Sequence, residues 1–416
     1  MDRNKDSFNY VKVLEENKLF RDKKYHFYSE NFIYSRIFSE RKPNKFKSKL
    51  TYIKNMLLRV LYFFYSKVAY SQSAEILSLN ASIFDKGLQE KYLVTKFSIN
   101  ASRGIPVFGS FKLFFKNEYL NYHISFSSID KLRSLEGFVK NIINNIADEV
   151  LAAGIKIISV GEDTTFWPRV LLQVSKDKGL RSVLISHGGI PSLYDGTVDT
   201  KSDLLLVWGK MQKDSYVMNS YNPKRIKVIG HPRYSGNNVK FNEKINLNNI
   251  LLLTKSICAI PPSDLKLYEN PNLILKYLVT IKMSLKELGI NSVNLRLHPS
   301  EDIGWYKELL IDRFFNITNS CLDNDLNDAS LIIGPTSTVF IDAISKRKPY
   351  IFFEPLDSEG NTIFGYPLVE PIKNNSLIPL VHTKKDLKAI LERDYKYDFS
   401  GFIGRRFDYS VIQDDS

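Results

Sequence analysis

The sequence predicts an α/β protein with two Rossmann-like, doubly wound domains that face a cleft. Between residues 155 and 353, short apolar segments alternate with helix-length amphipathic segments. Such alternation is typical of parallel sheets that are covered by helices on both faces. A polar, asparagine-rich stretch at 235–248 interrupts the series, which restarts at 249. A chain of 416 residues is also long enough for two domains of ordinary size.

The first series opens with a predicted helix at 138–154 that ends on Gly154, a common helix stop. Apolar, β-branched segments then predict strands at 155–160, 181–186, 203–209 and 226–230. The segments between them predict helices at 166–179 and 211–220.

The second series repeats this order. Strands are predicted at 249–254, 293–297, 331–334 and 349–353, and helices at 273–289, 305–314 and 337–347. The predicted domains are therefore an N-terminal extension at 1–102 that belongs with the acceptor domain, a Rossmann-like acceptor domain at 103–235, a Rossmann-like donor domain at 236–390 and a tail at 391–416.

The charge of the chain points to an anionic partner. Lysine and arginine exceed the acidic residues by 13, which favours a nucleotide, a nucleic acid, an anionic glycan or a membrane surface. The two cysteines fit a reducing cytoplasm and no disulfide scaffold. We expect neither a signal peptide nor a membrane-spanning helix, because the first residues are polar and no uncharged apolar run reaches 18 residues. Residues 41–67 carry eight basic residues, no acid and helical apolar spacing, which fits either a core-packed helix or a helix on an anionic membrane.

Ligands of parallel sheets bind beyond the carboxyl ends of the strands, so the residues that follow each strand matter most. Three histidines, His187, His231 and His298, end apolar runs beside glycine or proline. Pro299 restricts the backbone of His298, and Gly188 and Gly189 let a ligand approach the chain closely. Each histidine also fits the plainer interpretation of a strand cap or surface turn. No spacing typical of a metal site lies nearby.

The segment 334–342, GPTSTVFID, ends a strand and begins a helix. Thr336, Ser337 and Thr338 would bring hydroxyls and free N–H groups to a phosphate, although an ordinary helix cap has the same composition. Lys255 and Ser256 follow another strand of this series. In the first series, Glu162 and Asp163 offer a catalytic carboxylate, and Asp163 also fits a helix cap.

Three short motifs together resemble those of bacterial cytidine-nucleotide-dependent transferases of the two-domain GT-B type. They are HG after one strand, HP after another, and a Ser/Thr pair before V-x-x-D. These include Kdo, sialic acid and pseudaminic acid transferases and, more distantly, teichoic acid glycerophosphotransferases. The resemblance covers about residues 155–355. The lysine that the glycerophosphotransferases have shortly after HG is missing here, which favours a CMP-activated sugar.

The resemblance implies a role for each site residue. His298 and Pro299 would contact CMP, and Ser337 and Thr338 would hold its phosphate. Asp342 would support the helix. The other residues of the donor site would be Thr336, Lys255, Ser256, Gly188 and Gly189. His187 would lie near the donor sugar or the leaving phosphate, among the catalytic residues. Asp163, in preference to Glu162, would be the catalytic carboxylate.

The predicted function is therefore transfer of a sugar, such as Kdo, sialic or pseudaminic acid, from a CMP donor to a bacterial surface polysaccharide. We expect no metal or other cofactor, no nucleic-acid partner, and a cytoplasmic protein at the inner face of the membrane. Two alternatives stay open: a CDP-glycerol or CDP-ribitol phosphotransferase, and a non-enzymatic protein that binds anionic polymers.

Overall fold

The computed structural model describes part of the chain. The described residues are 74–80, 82–97, 140, 143–144, 146–148, 150–151, 153–163, 166–186, 202–218, 220–234, 239–255, 271–299, 301–310, 313–356, 362, 372, 375–404 and 407–412. They divide into two compact units, one with those up to 186, 202–206 and 409–412, and one with those from 207 to 408. The basic stretch 41–67 lies outside them.

The first sheet has six strands in the order β2-β1-β3-β4-β5-β6. The strands are β1 (Ile76–Leu79), β2 (Val94–Lys96), β3 (Ile157–Val160), β4 (Arg181–Ile185), β5 (Leu204–Val207) and β6 (Ile226–Val228). Every pairing from β2 to β5 along this order is parallel. The helices are α1 (Ser82–Gln89), α2 (Phe166–Lys178) and α3 (Lys210–Met218). Strands β3 to β6 confirm the predicted series, while β1 and β2 had no predicted counterpart.

The second sheet has six parallel strands in the order β10-β9-β8-β11-β12-β13. The strands are β8 (Ile250–Leu253), β9 (Val293–Arg296), β10 (Phe315–Ile317), β11 (Leu331–Gly334), β12 (Tyr350–Phe353) and β13 (Leu380–Val381). The helices are α4 (Pro271–Glu287), α5 (Ile303–Leu309), α6 (Leu322–Asp328), α7 (Val339–Ser345) and α8 (Lys384–Leu391). Two Rossmann-like parallel sheets with helices therefore confirm the predicted fold class.

The core of the second sheet explains why its strands are apolar throughout. All four residues of β8, β11 and β12 are buried, as expected when helices cover both faces. Gly334 ends β11 because no side chain fits there. A Cβ atom at Gly334 would lie 2.4 Å from the Tyr350 hydroxyl, which donates a hydrogen bond to the Pro335 carbonyl at 2.7 Å.

The predicted linker 235–248 contains a strand, β7 (Lys240–Lys244), which pairs antiparallel with β14 (Asp394–Asp398). Only Phe241 of β7 is buried, with its ring edge-to-face against Tyr395 at 5.3 Å. The segment after β14 packs closely, because a Cβ atom at Gly209 would lie 2.2 Å from the Gly401 carbonyl oxygen. The predicted domain bounds stay a prediction.

Candidate functional site

The strand order of the second sheet places its ligand edge. Counted along the chain, β10-β9-β8-β11-β12-β13 is the order 3-2-1-4-5-6, the arrangement of doubly wound nucleotide-binding sheets. The order reverses between β8 and β11. In sheets of this kind, ligands bind in the crevice where the chain segments leaving the two strands part, beyond the carboxyl ends of the strands.

Lys255 lies at this switch point, two residues after β8. Its ammonium donates a hydrogen bond to the backbone carbonyl oxygen of Thr336, which follows β11, at 2.8 Å. Burial lowers the pKa of Lys255 to about 8, although the nearby charge of Glu354 acts in the opposite direction. The predicted site residues Lys255 and Thr336 are thus in direct contact.

Thr336 is buried, and its backbone N–H donates to Oε1 of Glu354 at 2.5 Å. This N–H group was predicted to meet a phosphate, but the neighbouring strand already uses it. Ser337 is partly exposed and Thr338 is exposed, so these two hydroxyls are the accessible ones in the segment. The helix that follows, α7, has only seven residues, and its N-cap residue Thr338 makes no side-chain capping bond. The N–H of Val339, the first residue of α7, donates a long hydrogen bond to the Ser337 hydroxyl at 3.5 Å. Among the described residues, Lys255 brings its positive charge directly to this segment.

The HP segment is held by an acidic residue that sequence analysis did not select. The backbone N–H of His298 donates to Oε2 of Glu301 and to the Thr254 hydroxyl, both at 2.9 Å. The Thr254 hydroxyl donates to Oε2 of Glu301, and the buried Tyr306 hydroxyl donates to Oε1 at 2.6 Å. Glu301 thereby fixes the backbone of His298 while its imidazole stays exposed.

The imidazole of His298 lies close enough to Lys255 to respond to its charge. Partial burial and the positive charge of Lys255 lower the pKa of His298, so the ring is neutral near pH 7. A neutral imidazole can still donate one hydrogen bond through the protonated ring nitrogen. The exposed ring of Pro299 follows directly. The structure thus brings His298, Lys255 and the segment 336–338 to neighbouring strand ends.

Asp342 lies on α7, one turn after Thr338, and binds protein groups. Its Oδ1 accepts a hydrogen bond from the Tyr234 hydroxyl at 2.5 Å and lies 3.7 Å from the guanidinium of Arg233. These contacts agree with the support expected of it, and a role in donor binding stays a prediction.

The third strand-end histidine, His231, is buried in an aromatic cluster. Its ring centroid lies 4.2 Å from that of Trp208 and 4.4 Å from that of Tyr234. Its Nδ1 accepts a hydrogen bond from the backbone N–H of Arg233 at 3.1 Å. Burial, aided by the charge of Arg233, lowers its pKa to about 4. His231 is therefore a neutral packing residue, unlike His298.

In the first sheet, the order reverses between β1 and β3. Asn80 follows β1, and its amide donates hydrogen bonds to the Ser159 hydroxyl of β3 at 2.7 Å and to Ser78 at 2.8 Å. Glu162 and Asp163 come directly after β3, at this switch point. Glu162 is partly exposed, whereas Asp163 is buried and its backbone carbonyl accepts a hydrogen bond from Arg169. Either carboxylate as catalyst stays a prediction.

Four predicted site residues, His187, Gly188, Gly189 and Ser256, lie outside the described residues. Within the described part of the chain, no group of three His, Cys, Asp or Glu side chains is arranged to hold a metal ion. No helix of that part is long and apolar enough to cross a bilayer. The expectation of a metal-free enzyme stays a prediction.

Sequence reasoning missed Glu354 and Glu301 as parts of the site. Glu354 was visible only as the residue after the apolar run of β12, and Glu301 only as one of two acids after HPS. Both act on backbone groups of another segment, through Thr336 and His298 respectively. The one usable signal was the position of each acid just beyond a strand end.

Comparison with known proteins gives likenesses of fold. No protein-family model and no curated protein matches the chain. Among solved structures, MnaA of S. aureus in complex with UDP is 9% identical, with a TM-score of 0.47 over 79% of this chain and 92% of that chain. UDP-GlcNAc 2-epimerase of Neisseria meningitidis bound to UDP-GlcNAc is 12% identical, with a TM-score of 0.44 over 81% and 97%.

The MurG structure of Acinetobacter baumannii is 9% identical, with a TM-score of 0.45 over 76% of this chain and 89% of that chain. Identities and TM-scores of this size say nothing about the substrate of this chain. What the chain binds has to be argued from its own residues.

Proposed function

We propose that the protein is a glycosyltransferase that binds the phosphate of a nucleotide-activated sugar at the carboxyl edge of its second sheet. One observation carries the proposal: the ammonium of Lys255 lies at the switch point of a 3-2-1-4-5-6 sheet and is bound to the loop after β11. A cation at the ligand edge of such a sheet suits the phosphate of a nucleotide.

The neighbouring groups complement this cation. His298 presents a neutral imidazole that can donate a hydrogen bond, and the hydroxyls of Ser337 and Thr338 are accessible. A positive charge and neutral donors together suit a group that becomes more negative as it leaves. The proposed role of Lys255 is to stabilise the departing phosphate, and that of His298, Ser337 and Thr338 is to orient it.

The proposed donor is a CMP-activated sugar acid, such as Kdo, sialic acid or pseudaminic acid. The HP segment and the Ser/Thr pair before V-x-x-D support this choice through the family resemblance. Cytosine differs from uracil by an amino group in place of a carbonyl, so a site built for one base rejects the other through an unmatched donor or acceptor. The proposed acceptor is a growing surface polysaccharide at the inner face of the cytoplasmic membrane.

The proposed transfer step forms one bond, breaks one bond and moves one proton. A bond forms between an acceptor hydroxyl oxygen and the anomeric carbon, and the bond from that carbon to the phosphate oxygen breaks. CMP leaves with the bonding electron pair, and the acceptor proton passes to a carboxylate. The proposed carboxylate is Glu162 or Asp163, and the charge of Lys255 offsets the one that develops on the phosphate.

The test is a thermal shift measurement with CMP, CDP, UDP, GDP and ADP. At about 100 times its dissociation constant, a ligand stabilises the folded chain by ~2.7 kcal/mol. We expect the cytidine nucleotides to raise the melting temperature most and Lys255→Met to lose most of the shift. Lys276→Met, which removes an exposed lysine of α4, is the matched control and keeps it.

Two outcomes would count against parts of the proposal. Equal or larger stabilisation by UDP or ADP would contradict a cytidine donor and leave a nucleotide site intact. Stabilisation by none of the five nucleotides would contradict the nucleotide site itself. A gel shift with DNA at physiological ionic strength would then favour an anionic-polymer-binding protein.

A further inference from the structure

Both peptide groups of Thr336 are held by charged side chains from the two strands beside β11. Its N–H donates to Glu354, which follows β12, at 2.5 Å, and its carbonyl accepts from Lys255, which follows β8, at 2.8 Å. The loop that carries Ser337 and Thr338 is therefore bound on one side to an acid and on the other to a base. The backbone of Thr336 therefore cannot shift without breaking one of these bonds.

Burying the carboxylate of Glu354 at this position costs free energy of folding. Its side chain is wholly buried, and Oε2 accepts no hydrogen bond from any described residue. Burial raises the pKa of its carboxyl, against the charge of Lys255 and the hydrogen bonding of Thr336, which lower it. A buried charge of this kind adds little stability compared with an apolar residue of the same size. Its presence at a ligand edge calls for a functional reason.

We infer that Glu354 is a positioning residue of the donor site, which fixes the Thr336 loop and keeps the ammonium of Lys255 charged and in place for the donor phosphate. This inference rests on the proposed nucleotide site. Glu354 itself has no contact with the donor in this scheme, because its oxygens are buried beneath the loop.

Several charged or titratable groups surround Lys255 and Glu354. Burial raises the pKa of the hydroxyls of Tyr277 on α4 and Tyr350 on β12, and both are near enough to Glu354 for its charge to raise that pKa further. Glu354 faces Lys255 from the end of β12, and His298 faces it from the end of β9. His382, which follows β13, bonds through Nδ1 to the backbone carbonyl of Glu354 at 2.7 Å and lowers the pKa of the Glu354 carboxyl. Glu301 lies behind His298, bound to its backbone. Glu354 is the group that raises the pKa of Lys255.

The experiment measures the dissociation constant of CDP from pH 6.5 to pH 9.5 for the wild type and Glu354→Gln. The amide oxygen of glutamine still accepts the bond from Thr336, but the negative charge beside Lys255 is gone. Burial lowers the pKa of Lys255 and Glu354 raises it, so removing the charge of Glu354 lowers that pKa further. A nearby opposite charge typically shifts a pKa by about one unit or more. We expect the pH at which CDP affinity is half lost to fall by about one unit and CDP binding at pH 8 to weaken about fivefold.

The matched control is Asp85→Asn on α1, in the first unit. Asp85 is also a buried carboxylate, and its Oδ1 accepts a hydrogen bond from the Ser78 hydroxyl at 2.5 Å. The side-chain oxygen of asparagine still accepts the Ser78 bond, so this variant, like Glu354→Gln, removes a buried negative charge and keeps the structural bond. A loss of stability caused by changing any buried carboxylate would therefore appear in both variants. We expect Asp85→Asn to keep the wild-type pH profile of CDP binding.

The outcomes separate this inference from the function on which it rests. If wild type binds no nucleotide, the proposed function fails. If wild type binds CDP and a folded Glu354→Gln variant has the same pH profile, only the role of Glu354 fails. Should Glu354→Gln not fold, Glu354→Met, which fills the same space, is measured in its place. If neither folds, Glu354 is a structural residue and the inference is overturned.

Discussion

The ammonium of Lys255 and the backbone carbonyl oxygen of Thr336 are 2.8 Å apart, and this contact spans the point where the second sheet reverses its strand order. Lys255 belongs to the segment that leaves β8, and Thr336 to the segment that leaves β11. In most sheets of this order the two segments part and admit a ligand. Here a titratable cation joins them, so the charge of the ligand edge depends on pH.

The first prediction concerns that dependence. The pKa of Lys255 is about 8, so its charge is nearly complete at pH 7 and is lost as the pH rises through 8. The phosphates of a nucleotide are mostly ionised by pH 7 and change little above it. We expect CDP affinity to fall about tenfold between pH 7 and pH 9, measured by titration calorimetry. Lys255→Arg, which stays charged, would show little change, and a parallel fall in that variant would contradict the role of Lys255.

The second prediction concerns His298. Its backbone N–H is fixed by Glu301 and Thr254, and its imidazole is exposed. His298→Ala therefore leaves the fold intact and removes only the side-chain donor. A hydrogen bond to a charged group contributes roughly 1.5–3 kcal/mol, so we expect donor affinity to fall by about one to two orders of magnitude. An unchanged dissociation constant with an unchanged melting temperature would make His298 a simple strand cap.

The third prediction concerns Glu301. Its carboxylate accepts hydrogen bonds from the His298 backbone and from the buried hydroxyl of Tyr306. Glu301→Ala leaves both donors without this acceptor, which costs roughly 1.5–3 kcal/mol of unfolding free energy, measured by urea denaturation. Glu308→Ala changes an exposed glutamate of α5 and should stay within about 0.5 kcal/mol of wild type. Equal stability of the two variants would show that Glu301 does not hold the loop.

The strands that apolar runs define were predicted well. Strands β8, β9, β11 and β12 lie within one residue of their predicted ends, because each is short, apolar and bounded by polar residues. Strand β7 was missed for the opposite reason. Its sequence KFNEK is polar, and it is a strand because β14, about 150 residues later in the chain, pairs with it and packs Tyr395 on Phe241. Pairing over such a separation leaves no local pattern.

The candidate site was also predictable only where local sequence carries the signal. The rule that ligands meet strand ends selected Lys255, His298 and the segment 336–338, which the structure brings to neighbouring strand ends. The rule could not show that the Thr336 N–H is already bound to Glu354. Such a bond depends on which strands are neighbours in the sheet. The hydrophobic pattern predicts where strands lie along the chain, but it does not predict their order in the sheet.

The last prediction concerns the two acids after β3. Sequence analysis preferred Asp163 as the catalytic carboxylate, but its side chain is 3% exposed whereas Glu162 is only partly buried. A general base has to come within hydrogen-bond reach of the acceptor hydroxyl, so accessibility now favours Glu162. We expect Glu162→Gln to lose about 10²-fold or more in turnover and to keep its affinity for CDP. Asp163→Asn should lower mainly stability, by about 1 kcal/mol, measured by denaturation beside the transfer assay. A hundredfold loss of turnover in Asp163→Asn with normal stability would return the role to Asp163, and near-normal turnover in both variants would exclude the pair.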